Sequence, residues 1–326
     1  MKVAEIENNS LVIKERESET LENRKGAIVK VLGCGLCGSD IVKLRHHLAK
    51  DGTVLGHEIV AKIVEINSDT NFKKDDVIVT SHHIPCGKCE YCKNGNVSMC
   101  RHFKQTNLQP GGFSEYVFVS EEHLQNVAHK KPDNLTEIEA SFYEPLGCCV
   151  RAVKRAYLTE NSTALVIGLG SIGILMAQTL KAFGMNAIGC DLITSRVELL
   201  KNLGIEAFNV NEMCESIKAD CIFMTSGSDK AIETALKYVR DGGKILVFSS
   251  TPNNFGYANN EIYYRELTVL GSYSPSPADL RDSLELLKNK DVRVGNLSVI
   301  YPLDKVQKAI NDTLNNKIMK AYIKFD

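Results

Sequence analysis

The chain has 326 residues, with 39 Lys plus Arg against 40 Asp plus Glu for a formal charge of −1, and is 44% apolar and 24% charged. The length suits about two domains at roughly 100–200 residues each, and the composition excludes a largely disordered, collagenous or low-complexity chain. Balanced charge supplies no global field toward nucleic acid or an anionic membrane, so neither is an expected partner.

The N-terminal stretch MKVAEIENNSLVIKERESET is charged throughout and lacks an apolar core of signal-peptide length, so secretion is not expected. From residue 1 to 150, LVIKE, AIVKVLG, EIVAKIVEI, DDVIVTS and FSEYVFVS run apolar or alternate apolar with polar residues, which predicts a β-rich domain. Between these strands lie Gly35-Leu36-Cys37-Gly38-Ser39-Asp40 and Gly56-His57-Glu58, and near the domain's end Tyr143-Glu144-Pro145-Leu146. Each has a plainer reading alone: a core thiol, a hydrogen-bonded imidazole, a helix start. Together, one thiolate, one imidazole and one carboxylate suit a catalytic zinc that keeps an open position. Cys34 makes a C-x-x-C with Cys37, but its place at the end of an apolar strand predicts a core thiol rather than a redox pair. His82 and His83 close the strand DDVIVTS and are expected to be satisfied structural histidines, with a place lining the cleft as the alternative.

Cys86-x-x-Cys89-x-x-Cys92-x7-Cys100 follows at once. Four thiolates so spaced can close a tetrahedral shell around Zn²⁺ and leave no position for water, which makes a structural site. A nucleic-acid zinc ribbon would need a basic, aromatic-rich surface that the chain lacks. Eleven cysteines with four in a metal lobe suit a reducing cytoplasm better than a disulfide scaffold.

From residue 151 to 271 the pattern becomes strand, glycine turn, helix: ALVIG then SIGILMAQTLKAFG, AIGCD then SRVELLKNLG, CIFMTSG then KAIETALKYV, then KILVFSS and LTVLGSY. Such alternation predicts parallel βαβ units. Cys148 and Cys149, just before it, are expected in the core of an apolar helix. The uncharged run Ala164–Leu180 is interrupted by Gly168, Gly170 and Gly173 and is too short to span a bilayer. Gly168-Leu169-Gly170-Ser171-Ile172-Gly173 follows a strand and opens a helix, the context in which G-x-G-x-x-G places a pyrophosphate on a helix N-terminus. Asp191 ends the next strand, where a carboxylate accepts hydrogen bonds from the adenosine ribose and repels a 2′-phosphate, which selects NAD. Arg196 is a further candidate cofactor contact. ADLRDSLELLKNK, LDKVQKAINDTLNN and KAYIKF add an amphipathic segment and a last helix–strand pair over 272–326.

GLCGSD, LGHE, the four-cysteine lobe, GGFSEYV, YEPLGC and GLGSIG, in this order over nearly the whole chain, resemble the zinc-containing medium-chain dehydrogenases and reductases. The resemblance implies an α/β chain in which a GroES-like catalytic domain, 1–150 and 272–326, is interrupted by a Rossmann NAD-binding domain, 151–271. It implies two Zn²⁺ per chain, NAD, a small-molecule alcohol or polyol substrate and a homodimer or homotetramer. Cys37 and His57 resemble the family's catalytic zinc ligands, Glu144 the third ligand of the polyol branch, and Ser39 the hydroxyl that bonds the substrate oxygen. Many members carry a histidine five residues after the zinc cysteine as a proton relay. Val42 stands there instead, and neither His46 nor His47 is assumed to replace it.

The expected activity is hydride transfer between NAD and a secondary alcohol, most nearly a polyol, cyclitol or sugar derivative, with zinc as Lewis acid. Two rivals are a zinc-independent enone or quinone reductase and a non-catalytic NAD-binding redox sensor with structural zinc only. Metal content separates the last. His57 and Glu58 point to opposite faces of an extended strand unless the chain bends at Gly56. The expectation is that Glu144 is the permanent ligand and that Glu58 approaches zinc only in the resting enzyme.

Overall fold

The computed structural model describes residues 1–249 and 259–325, so Ser250 of KILVFSS lies outside the described residues. It divides into two compact units: Met1–Pro145 with Ser276–Lys288 and Val294–Asp326, and Leu146–Pro275 with Asn289–Arg293.

In the first unit, β1 (Lys2–Glu7) and β2 (Ser10–Glu15) form an antiparallel hairpin. The larger sheet contains β3 (Gly26–Gly35), β4 (Glu58–Asn67), β5 (Val77–Thr80), β6 (Tyr116–Ser120) and β7 (Ala128–Lys130). The second unit contributes β8 (Thr163–Ile167), β9 (Asn186–Asp191), β10 (Glu206–Asn209), β11 (Ala219–Met224), β12 (Val239–Val247) and β13 (Thr268–Gly271). The chain then returns to the first unit with β14 (Ser298–Pro302) and β15 (Lys320–Lys324).

The first unit's seven-stranded sheet runs β14-β15-β3-β4-β5-β7, with β6 on the same strand β3. β3 has ten residues, long enough for two partners: its first half pairs β6 and its last three residues pair β15. Alternating Val29 and Val31, Ile59, Ala61 and Ile63, and Ala321 and Ile323 face one buried core. Burial of each of these valines and isoleucines contributes about 1.5–3 kcal/mol.

The second unit's sheet is parallel throughout, in the order β10-β9-β8-β11-β12-β13. Strand order reverses between β8 and β11, and open parallel sheets bind ligands at the carboxyl ends of strands beside such a reversal. The helix Ser171–Ala182 that follows β8 is buried from Gly173 to Leu180. Its sequence is apolar all round because solvent reaches little of it. Among the described residues no helix is long and apolar enough to cross a membrane.

Candidate active site and metal centres

Cys37 caps the helix Gly38–Arg45, directly after β3 ends at Gly35, in extended conformation. Its backbone N–H donates to Asp40 Oδ2 (3.3 Å), and the Ser39 hydroxyl donates to Cys37 Sγ (3.3 Å). Asp40 is fully buried and its other oxygen lies 3.4 Å from His57 Nδ1. A carboxylate on one ring nitrogen leaves the other as the metal-facing atom and fixes the imidazole's orientation. Burial opposes a charged His57, yet Asp40 and Cys37 outweigh it and hold its pKa well above the ordinary 6.5.

Gly56, with φ +87°, supplies the bend before β4 that His57 and Glu58 need to serve one site. A Cβ at Gly56 would also fall 2.9 Å from Phe113. Ligand atoms of Cys37, His57 and Glu58 consequently lie within 4.8 Å of one another. Glu144, in the first turn of the helix Tyr143–Ala156, instead has a ligand atom within 4.8 Å of those of His57 and His82. The two triads overlap at His57. Thiolate, imidazole and carboxylate in the first, and two imidazoles and a carboxylate in the second, are donor sets that fit Zn²⁺.

Two residues went unread in the sequence, Lys320 and Asp40. Lys320, which opens β15, puts Nζ 2.5 Å from Glu58 Oε2 with both side chains almost completely buried, and donates to the Leu36 carbonyl (3.2 Å). Burial lowers the Lys320 pKa, but Glu58 and Cys37 outweigh it and leave it above 10.5. A lysine at a strand start carries no signal of such burial. Nothing in the run GLCGSD signals that Asp40 orients His57. Of the two adjacent histidines expected to be satisfied structural groups, His83 is one, its Nδ1 contacting the Thr106 carbonyl at 2.6 Å, whereas His82 is not, its Nδ1 being buried with no hydrogen-bond partner. The His82 ring centre is 4.4 Å from that of His57. Burial chiefly, helped by the His57 charge, pushes the His82 pKa well below 6.5.

Cys34 is fully buried, as a core thiol, while Cys149 is buried and Cys148 only partly so. His47 Nδ1 lies 2.6 Å from the Asn9 amide oxygen at the surface.

Thiol sulfurs of Cys86, Cys89, Cys92 and Cys100 all lie within 4.8 Å of one another. The Cys89 N–H points at Cys86 Sγ (3.4 Å) and the Cys86 N–H at Cys100 Sγ (3.5 Å). Burial raises the Cys100 thiol, but the N–H groups of Cys86 and Phe103 bring it down to about 6. Burial, then neighbouring sulfurs, lift Cys92 to about 12. Four sulfurs this close can all be thiolates only around a cation, and a closed thiolate shell fits Zn²⁺.

In the second unit Gly168, Leu169 and Gly170 turn from β8 into the helix opened by Ser171 and Ile172, with Gly170 as its cap. A Cβ on Gly173 would fall 1.9 Å from the Gly168 carbonyl oxygen, so only glycine lets helix and turn pack this closely. Free N–H groups at this helix start suit a pyrophosphate. Asp191 is buried at the end of β9 and accepts from the Leu169 N–H (2.6 Å) and the Ile193 N–H (2.8 Å). Arg196 Nη1 lies 3.6 Å from it. The carboxylate thus ties the glycine turn to the next βα unit, and its remaining lone pairs suit ribose hydroxyls.

A sequence model described as "Alcohol dehydrogenase GroES-like domain" matches residues 23–133, and one described as "Zinc-binding dehydrogenase" matches 171–289. The chain is 30% identical to a sorbitol dehydrogenase of Halalkalibacterium halodurans over 316 residues, covering 90% of each protein. It is 29% identical to a D-arabitol-phosphate dehydrogenase of Enterococcus avium, covering 91% of this chain and 89% of that protein. An Escherichia coli oxidoreductase of unknown specificity superposes over 100% of both chains with a TM-score of 0.88 at 25% identity.

Proposed function

Because the chain belongs to the zinc-containing medium-chain dehydrogenase/reductase family, we propose that this dehydrogenase transfers hydride between NAD and the carbinol carbon of a polyol, cyclitol or sugar derivative. The observation that carries the proposal is the convergence of Cys37, Glu58 and Glu144 on His57, itself oriented by Asp40. Zinc held by these residues supplies Lewis acidity that lowers the pKa of a substrate hydroxyl. The Ser39 hydroxyl, now bonded to Cys37 Sγ, is the group to take up the substrate oxygen. Lys320 neutralises Glu58 and so limits the negative charge that opposes substrate ionisation.

Gly168, Gly170, Ser171, Ile172 and Gly173 receive the pyrophosphate of NAD, Asp191 the ribose, and Arg196 steadies Asp191. Cys86, Cys89, Cys92 and Cys100 hold the second, structural zinc. Four cysteines gathered in one metal-type lobe support a reducing cytoplasm. A homodimer or homotetramer is expected, and sedimentation checks it. The sorbitol and arabitol-phosphate activities of the similar proteins support the polyol class.

The deciding experiment is NAD reduction by purified zinc-loaded protein across alcohols, polyols, cyclitols and amino sugars, with zinc counted in the same sample. Two zinc ions per chain and turnover of a polyol-like compound are expected. One zinc per chain and no NAD reduction would overturn the reading.

A further inference from the structure

We propose that the catalytic metal has a second seat, made by His57, His82 and Glu144, at which His82 is a direct metal ligand. This inference rests on the zinc dehydrogenase reading above and adds a ligand to it. Its first support is geometric: one ligand atom from each of the three residues lies within 4.8 Å of the other two.

The second support is the condition of His82. Its Nδ1 is buried without a hydrogen-bond partner, and a buried polar atom left unpaired costs about 1–3 kcal/mol. Neighbouring histidines are satisfied: His83 on the Thr106 carbonyl, and His123, whose Nε2 donates to the His82 carbonyl at 3.1 Å. The His82 backbone is therefore pinned while its ring nitrogen lacks a protein partner. A metal ion shared with His57 supplies one.

The third support is charge. In the first seat Glu58 already has a buried counter-ion, Lys320, at 2.5 Å, so metal and ammonium compete for one carboxylate. Two neutral imidazoles and one carboxylate are a known catalytic zinc set, with the fourth position open. That set carries one negative charge fewer than Cys37, His57 and Glu58, which strengthens the metal's pull on an ionising hydroxyl. A cavity of about 140 Å³, lined in part by His57, His82, Asp40, Lys43 and Asn107, adjoins the two imidazoles and gives room beside this seat.

The test uses full-length protein with cobalt(II) exchanged into the catalytic position and zinc kept in the cysteine lobe. Cys37→Ser removes the thiolate of the first seat. Expected is a variant that still binds cobalt, without a thiolate-to-cobalt absorption band, and that keeps its lobe zinc as proof of folding. Adding His82→Ala should weaken that binding at least roughly tenfold, since loss of an outer partner alone costs 10–100-fold. In unmutated protein the band should fall short of one thiolate per cobalt and rise to full intensity in His82→Gln, which covers a Cys37→Ser chain that does not fold. Loss of cobalt from Cys37→Ser alone, or no effect of His82 substitution in either background, overturns the second seat while leaving the dehydrogenase reading intact. An unmutated chain that takes up no metal beyond the lobe overturns both.

Discussion

Replacing Lys320 by Met should destabilise the metal-free catalytic unit strongly while leaving its shape unchanged, because Met approximates the length of the lysine stem. At 2.5 Å the gross attraction between Lys320 and Glu58 at an effective dielectric constant near 20 is about 7 kcal/mol. Most of that is offset by the cost of taking both charges from water. Removing one partner leaves the other charge uncompensated, which costs about 3–5 kcal/mol. At roughly 2–4 °C per kcal/mol for a domain of this class, Tm should fall by about 6–20 °C.

The assay is thermal unfolding after mild chelation that strips the catalytic position and spares the lobe, repeated with zinc restored. Zinc should recover much of the loss, since Glu58 then has a cation again. The pH direction follows from the raised Lys320 pKa: the pair's contribution is fully present below about 10.5 and disappears as pH rises through the folded value. In the parent, the Lys320 charge therefore contributes the same amount from pH 6 to 9. Lys320→Met with Glu58→Gln should be less destabilised than the sum of the single changes. A metal-free Lys320→Met chain melting within about 2 °C of the parent would refute the reasoning.

His57 belongs to both triads, so His57→Ala should leave one zinc per chain and lower kcat/KM by about a thousandfold, the equivalent of about 4 kcal/mol of lost Lewis-acid stabilisation; two retained zinc ions would contradict this. Glu144→Gln should lose zinc more readily and more activity than Glu58→Gln, and dialysis followed by metal analysis would expose the reverse ranking. Cys89→Ser should lower Tm by several degrees and release the lobe zinc, which a parent-like melt with full zinc content would disprove. Asp191 should favour NAD over NADP by at least roughly 100-fold in kcat/KM, from charge-assisted bonds of about 1.5–3 kcal/mol and repulsion of the 2′-phosphate. Asp191→Asn should narrow the gap, and equal efficiency of the parent with both cofactors would remove the assignment.

Much of this site was legible because local chemistry wrote it into spacing. The lobe cysteines, the glycine turn between β8 and its helix, and the bend at Gly56 are all fixed by residues a few positions apart. The strands β3, β4 and β8 announced themselves through length and periodicity. Shorter β1, β7, β10 and β14 did not, since three to six residues of mixed polarity are held by neighbouring strands rather than by their own pattern. Lys320 and Glu58 meet across 262 positions of chain, a distance at which no pattern in either segment reports the other. His82 and His83 are identical to a sequence reader. Only the Thr106 carbonyl, which takes one and leaves the other, tells them apart.

The return of β15 to β3 has a consequence for biosynthesis. Every strand of the dinucleotide unit emerges from the ribosome before β14 and β15 do, and chains fold domain by domain as they are made. The inserted unit can thus complete its sheet while the earlier-synthesised unit still waits for its last two strands. Until residue 320 arrives, Glu58 has no counter-ion and the second half of β3 presents an open edge, a template for mispairing. A message truncated shortly before that point would yield a product whose dinucleotide unit is whole and whose catalytic unit is a target for quality control.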